Sequence, residues 1–109
     1  MSKLTRRSVV VGLSALAALP PLAASAATNH AVAIQGMKFN PADLTVKHGD
    51  TVTFTNMDSA PHTGSADDGS FETGKLAKGQ SATVKIAAKG NFAYHCKVHP
   101  RMKGVIHAT

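Results

Sequence analysis

From Ala31 onward, apolar and polar positions fall into short alternating runs separated by Gly, Pro, Asn and Asp. Successive side chains of a strand point to opposite faces, so Thr51 to Thr55 sets Val52 and Phe54 on one face and three threonines on the other. Ser81 to Ala87 repeats the period through Ala82, Val84 and Ile86, and Phe92 to Cys96 aligns Phe92, Tyr94 and Cys96. Ala31 to Ile34, Leu44 to Lys47 and Gly104 to Ala108 complete the predicted strands, with turn signals at His48-Gly49-Asp50 and Lys89-Gly90-Asn91. No helical stripe of useful length follows Ala26, and there is no linker, repeat or low-complexity tract. Short strands at this spacing predict an all-β fold, an antiparallel β-sandwich. Ser59 to Lys78 is rich in Gly, Ser and Asp and reads as loop with little regular structure, which sets His62 at a strand-to-loop junction.

The residues before Ala27 follow a different logic. Lys3, Arg6 and Arg7 are basic, Val9 to Leu19 is apolar, and Ala24-Ser25-Ala26 is a small-residue cleavage pattern, the layout of an export signal. The apolar run is shorter than the roughly 20 residues a spanning helix needs, and Pro20-Pro21 ends it. Residues 1–26 are therefore expected to be a cleaved signal and 27–109 a single domain with no stable membrane insertion. Thr5-Arg6-Arg7-Ser8-Val9-Val10-Val11 resembles a twin-arginine signal, although paired arginines also serve general export simply as positive charge. Either route predicts a periplasmic protein.

Of the 109 residues, 83 follow Ala26, carrying nine Lys or Arg against six Asp or Glu. A domain this small has a modest core that a bound metal would staple, and a monomer is expected. The lysines are scattered without a basic block or interleaved aromatics, which argues against nucleic-acid binding. Lys97, Arg101 and Lys103 do surround one loop, where an acidic redox partner could dock.

That loop carries the candidate chemistry. Cys96 is the sole cysteine, so no internal disulfide is available even outside the cytoplasm. It opens Cys96-Lys97-Val98-His99-Pro100-Arg101-Met102, which spaces a thiol, an imidazole and a thioether three residues apart. In an extended strand such residues would stand about 10 Å apart on opposite faces, so the segment has to curl for them to share an ion. His62 supplies a second imidazole from a distant strand end. Two imidazoles, one thiolate and one weak thioether select copper and suit both of its oxidation states. Zinc is the competing reading, although thioether is a poor zinc ligand and structural zinc sites usually carry more than one cysteine. A buried inert thiol is a further alternative. A Cys-His nucleophile is disfavoured, because nothing marks an oxyanion site or an orienting third residue, and no enzymatic activity is expected. His30, His48 and His107 read as surface or hydrogen-bonded histidines, His95 as exposed on the far face of its strand, and Met37 and Met57 as core.

Gly36-Met37-Lys38-Phe39, Leu44 to Val52, Asn56 with Pro61-His62, and Phe92 to Gly104 together make the chain similar to small blue-copper proteins of the cupredoxin family. Two residues between His99 and Met102 match the short ligand loop of amicyanin-type members better than the longer loop of plastocyanin-type ones. The resemblance implies a Greek-key β-sandwich and one type 1 copper bound by His62, Cys96 and His99, with Met102 as the long axial ligand. It also implies a role for Asn56 in holding the ligand loops rigid, and electron entry and exit near His99. The expected function is a periplasmic electron carrier between a redox donor and an acceptor; the alternative is a copper-binding or copper-delivery protein. Arg101 stands where amicyanin-type members place a bulky apolar residue in their docking patch, so the resemblance extends to the family and the site but not to a particular donor.

Overall fold

The computed structural model describes residues 27–109; the export signal expected over residues 1–26 lies outside them. Among the described residues eight strands occur in chain order: β1 Asn29–Ile34, β2 Phe39–Asn40, β3 Asp43–Val46, β4 Thr51–Asn56, β5 Ser65–Ala66, β6 Ser81–Lys85, β7 Gly90–His95 and β8 Lys103–Ala108. They form two four-stranded sheets, ordered β2-β1-β4-β6 and β3-β8-β7-β5. The chain passes between the sheets repeatedly, giving the Greek-key β-sandwich. No helix occurs among the described residues, so none there is long and apolar enough to cross a membrane.

The sheets are mixed rather than wholly antiparallel. β1 runs parallel to β4, with Val32 opposite Phe54, and β3 runs parallel to β8, with Leu44 opposite Ile106. Alternation in a sequence reports which face is buried and carries no information on strand direction. Here β1 and β4 become neighbours only after the chain has crossed to the other sheet to build β3. The segment read as irregular loop also contains β5, which pairs with β7, and a bridge between His62 and Leu76.

The inward faces follow the alternation. Val52 and Phe54 of β4 are fully buried, as are Val32 and Ile34 of β1 and Ile106 of β8. On the outward face of β4, Thr53 and Thr55 pair with Thr83 and Ser81 of β6 through hydroxyls 2.8 Å apart. Tyr94 organises the core between the sheets, with its ring centroid 4.7 Å from Phe39, 5.5 Å from Phe54 and 5.8 Å from Phe71. Each side chain of this size stabilises the fold by about 1.5–3 kcal/mol when fully buried. Tyr94 and Cys96 share a face two residues apart, so the packing that anchors Tyr94 also fixes where β7 releases the chain at Cys96.

Candidate metal centre

β7 ends at His95, β8 begins at Lys103, and the seven residues between them fold into a closed turn. The Cys96 N–H donates to the Met102 carbonyl at 3.0 Å, and the Met102 N–H donates to the His99 carbonyl at 2.9 Å. Those two bonds bend the segment through the curl that its donor spacing requires. His62 arrives from the other sheet, clamped to Leu76 by paired backbone bonds of 3.1 and 2.8 Å.

The side chains of His62, Cys96 and His99 converge. Their donor atoms all lie within 4.8 Å of one another: His62 Nδ1 is 3.7 Å from Cys96 Sγ and 3.2 Å from His99 Nδ1. His62 and Cys96 are fully buried, and His99 is half-buried, facing the surface. Met102 is buried, and its backbone closes the same loop. Two backbone N–H groups point at the sulfur, from Thr63 at 3.3 Å and His99 at 3.4 Å, which favours an electron-rich sulfur.

Asn56, the last residue of β4, is fully buried. Its amide donates to the carbonyls of Ala60 and Leu76, both at 2.8 Å, and its oxygen accepts the Asp58 N–H at 2.9 Å. One side chain thus spans the start of the His62 loop and the strand segment clamped to His62.

Two residues close to the donors lie outside the expected ligand set. Asp58 accepts a 3.0 Å hydrogen bond from His62 Nε2–H. Bonds from the Met37 and Gly36 N–H groups, with that of His62, hold its carboxyl below the ordinary aspartate range despite partial burial. Thr63 contributes its N–H to the sulfur, while its hydroxyl accepts the Lys97 N–H at 2.8 Å. A carboxylate four residues before a histidine was a signal available for Asp58. Nothing marks Thr63, because every residue except proline presents the same N–H.

Several other expectations are corrected. Met37 and Met57 are not core: they are 44% and 49% exposed. His95 is half-buried rather than exposed and donates Nδ1–H to Asp67 at 2.6 Å. Lys97 pairs with Glu72 at 3.0 Å, which removes it from the basic cluster and leaves Arg101 and Lys103. His30, His48 and His107 lie away from the centre, hydrogen-bonded to Asp50, the Thr109 carbonyl, and Asn91 with Asp43.

The arrangement fits a soft or borderline cation. An ionised carboxylate can only accept, so the 3.0 Å bond to Asp58 is donated by His62 Nε2–H, and Nδ1 is the ring nitrogen turned toward the other two donors. That nitrogen faces the Cys96 sulfur and the His99 ring nitrogen, so the three atoms can share either a proton or a cation. As a donor set for a cation, one thiolate with two imidazoles suits copper.

Fold and site together define a small β-sandwich whose described residues bring two histidines and a cysteine together as a candidate metal centre. The chain belongs to the cupredoxin family: residues 8–108 match the model of the cupredoxin-like domain. Amicyanin-alpha of Methylorubrum extorquens is 35% identical over 80 residues, spanning 69% of this chain and 67% of its own length. The chloroplastic plastocyanin of Chlamydomonas reinhardtii is 33% identical over 74 residues, which cover 58% of this chain and about half, 51%, of that protein. The solved Cu(I) form of an amicyanin variant superposes with a TM-score of 0.70 at 32% identity, covering 80% of this chain and 88% of that one.

Proposed function

We propose that this protein is a periplasmic electron carrier that uses one type 1 copper ion, held by His62, Cys96 and His99 with Met102 as a weak axial donor. The observation that carries the proposal is the buried convergence of two imidazole nitrogens and one sulfur within 4.8 Å, at the end of a cupredoxin sandwich. The bound metal supplies a one-electron couple between Cu(I) and Cu(II). The protein holds the ligands in a geometry acceptable to both states, so little has to move when an electron arrives or leaves.

Each residue has a defined part. Cys96 gives the strong sulfur bond, with the Thr63 and His99 N–H groups tuning its charge. Asn56 keeps the His62 loop and the Leu76 segment in register, so His62 stays in place opposite the Cys96–Met102 loop. His99 turns part of its ring toward the surface among Val98, Pro100 and Arg101, and is the contact through which electrons enter and leave. With Met102 as the fourth donor the set has no open position for a substrate, which supports a carrier rather than an enzyme. Donor and acceptor are redox proteins, and Arg101, which lines the same depression as His99, with Lys103 at the end of the ligand loop, favours acidic ones. The periplasmic assignment rests on the basic, apolar and small-residue pattern of residues 1–26.

The test is to load the protein with copper(II), record optical and paramagnetic spectra, and follow them through a reduction–oxidation cycle. An intense thiolate-to-copper band, reversible on cycling and absent in Cys96→Ala, is the expected result. A colourless product that takes zinc in preference to copper would sink the proposal. Ready release of the ion to a metal-free acceptor protein would instead support copper delivery.

A further inference from the structure

Asp58 joins the candidate metal centre to a turn on the other side of the loop cluster. Its Oδ1 accepts the Gly36 N–H at 2.9 Å. Its Oδ2 accepts both the Met37 N–H at 3.0 Å and the His62 Nε2–H at 3.0 Å. Gly36 and Met37 are both in the left-handed backbone region, at φ of 66° and 60°. Glycine adopts that region freely, but methionine does so at a cost of about 1–2 kcal/mol. In return, two consecutive N–H groups are presented to a single carboxylate, the concave arrangement that binds anions. The Met37 side chain meanwhile projects into solvent beside His99, Pro100 and Arg101, lining the same shallow apolar depression.

We propose that Asp58 is a positioning residue that holds the His62 ring with its proton on Nε2 and Nδ1 toward Cys96 and His99, and that it makes the Gly36–Met37 turn mechanically part of the metal site. A partner pressing on Met37 then acts on the carboxylate that orients a ligand. A redox change felt at His62 likewise reaches the docking surface. The alternative is that Asp58 only caps a strained turn, with His62 as a bystander. The two differ in what happens to the His62 proton. In Asp58→Asn one neutral oxygen faces three donors, so at least one of the three bonds is lost, and the negative charge that enforces the tautomer and raises ligand basicity disappears.

The redox consequence rests on the copper reading given above; the tautomer does not, so the first measurement uses metal-free protein. Nitrogen-15 NMR of the His62 ring, at a pH above imidazole titration, should place the proton on Nε2 in the wild type. In Asp58→Asn the Nδ1–H form should grow about tenfold relative to Nε2–H, and Asp58→Glu should restore part of the difference. Copper-loaded Asp58→Asn should lose about tenfold in its preference for Cu(II) over Cu(I), a rise of about 59 mV in potential. A wild-type ring protonated on Nδ1 would overturn the proposal, as would an Asp58→Asn protein with unchanged tautomer ratio and potential. If that variant does not fold, the wild type decides: adding diamagnetic Cu(I) should shift the Gly36 and Met37 amide signals together with His62 Nε2–H, and unmoved amides would refute the coupling. Failure to bind copper at all would defeat the electron-carrier reading while leaving the tautomer result to decide this one.

Discussion

Asn56 and Leu76 lie 20 residues apart in the chain, yet the buried amide of the first donates to the carbonyl of the second at 2.8 Å. The same amide also reaches Ala60, and its oxygen holds the Asp58 N–H. Replacing Asn56 with Ala orphans the Ala60 carbonyl and the Asp58 N–H, while Leu76 keeps its bond from the His62 N–H. A fully buried orphaned group costs about 1–3 kcal/mol and these two are only part-buried, so Asn56→Ala is expected to lose roughly 1–3 kcal/mol in denaturant unfolding of the metal-free protein. Because both ends of the His62 segment loosen together, the loaded variant should also lose copper faster. Unchanged stability would mean that the three bonds are dispensable and that Asn56 does not brace the centre.

Gly104 and Tyr94 face each other across β8 and β7 with no room to spare. A Cβ built on Gly104 would sit 2.5 Å from both the phenol oxygen and its carbon, and the ring is walled in by Phe39, Phe54 and Phe71. Gly104→Ala is therefore expected to destabilise by about 1–3 kcal/mol through overpacking. The Tyr94 hydroxyl has no hydrogen-bond partner among the described residues, and burial, with the Asp43 charge second, holds its ionisation well above the usual phenol range. Removing an unsatisfied buried hydroxyl removes its desolvation penalty, so Tyr94→Phe should gain about 1 kcal/mol and soften the Gly104→Ala defect in the double variant. A loss of stability in Tyr94→Phe would reveal a partner for the hydroxyl.

Much of this architecture was readable before any coordinates, and the reasons differ from element to element. The Thr51 to Thr55 run carries its strand identity because one face packs on Val32 and Ile34 while the other meets Thr83 and Ser81 of β6; alternation is the imprint of that asymmetry. Phe39–Asn40 and Ser65–Ala66 are two-residue strands, too short to show any period. Parallel pairing of β1 with β4 is a property of the crossover and leaves no trace in either strand. At the centre, Cys96, His99 and His62 stand out because their side chains do the chemistry. Thr63 acts through its backbone. Met37 escapes because an apolar residue on a strained turn looks, in sequence, like any core methionine.

Asp50 governs the opposite end of the molecule and should set its acid limit. Its carboxylate accepts from the His30 ring, from the Thr28 N–H and from the Lys47 N–H, and these bonds, in that order of strength, pull its ionisation down from 3.8 to about 2. The folded-state value is depressed. The stabilisation is therefore complete above about pH 4, the unfolded value, and is lost as pH falls through about 2. Asp50→Asn is expected to be less stable at neutral pH and to show a flatter decline below pH 4 than the wild type, measured as unfolding midpoint against pH. Parallel curves for the two proteins would mean that Asp50 contributes nothing to the acid transition.

Met102 offers a way to separate a ligand role from a packing role. The residue is buried, and its backbone closes the ligand loop through the Cys96 N–H and the His99 carbonyl, bonds that any replacement side chain would keep. Leucine nearly matches methionine in volume, and such swaps cost less than about 1.5 kcal/mol, so Met102→Leu should fold with its loop intact. If the thioether is the weak axial donor, its loss withdraws a sulfur lone pair that stabilises Cu(II), while Cu(I) is satisfied with three ligands. The potential of the copper-loaded Met102→Leu protein should therefore rise, with the unfolding midpoint of the metal-free protein almost unchanged. A variant with wild-type potential and wild-type spectrum would show that the sulfur lies off the metal and that Met102 serves only to fill the space beneath it.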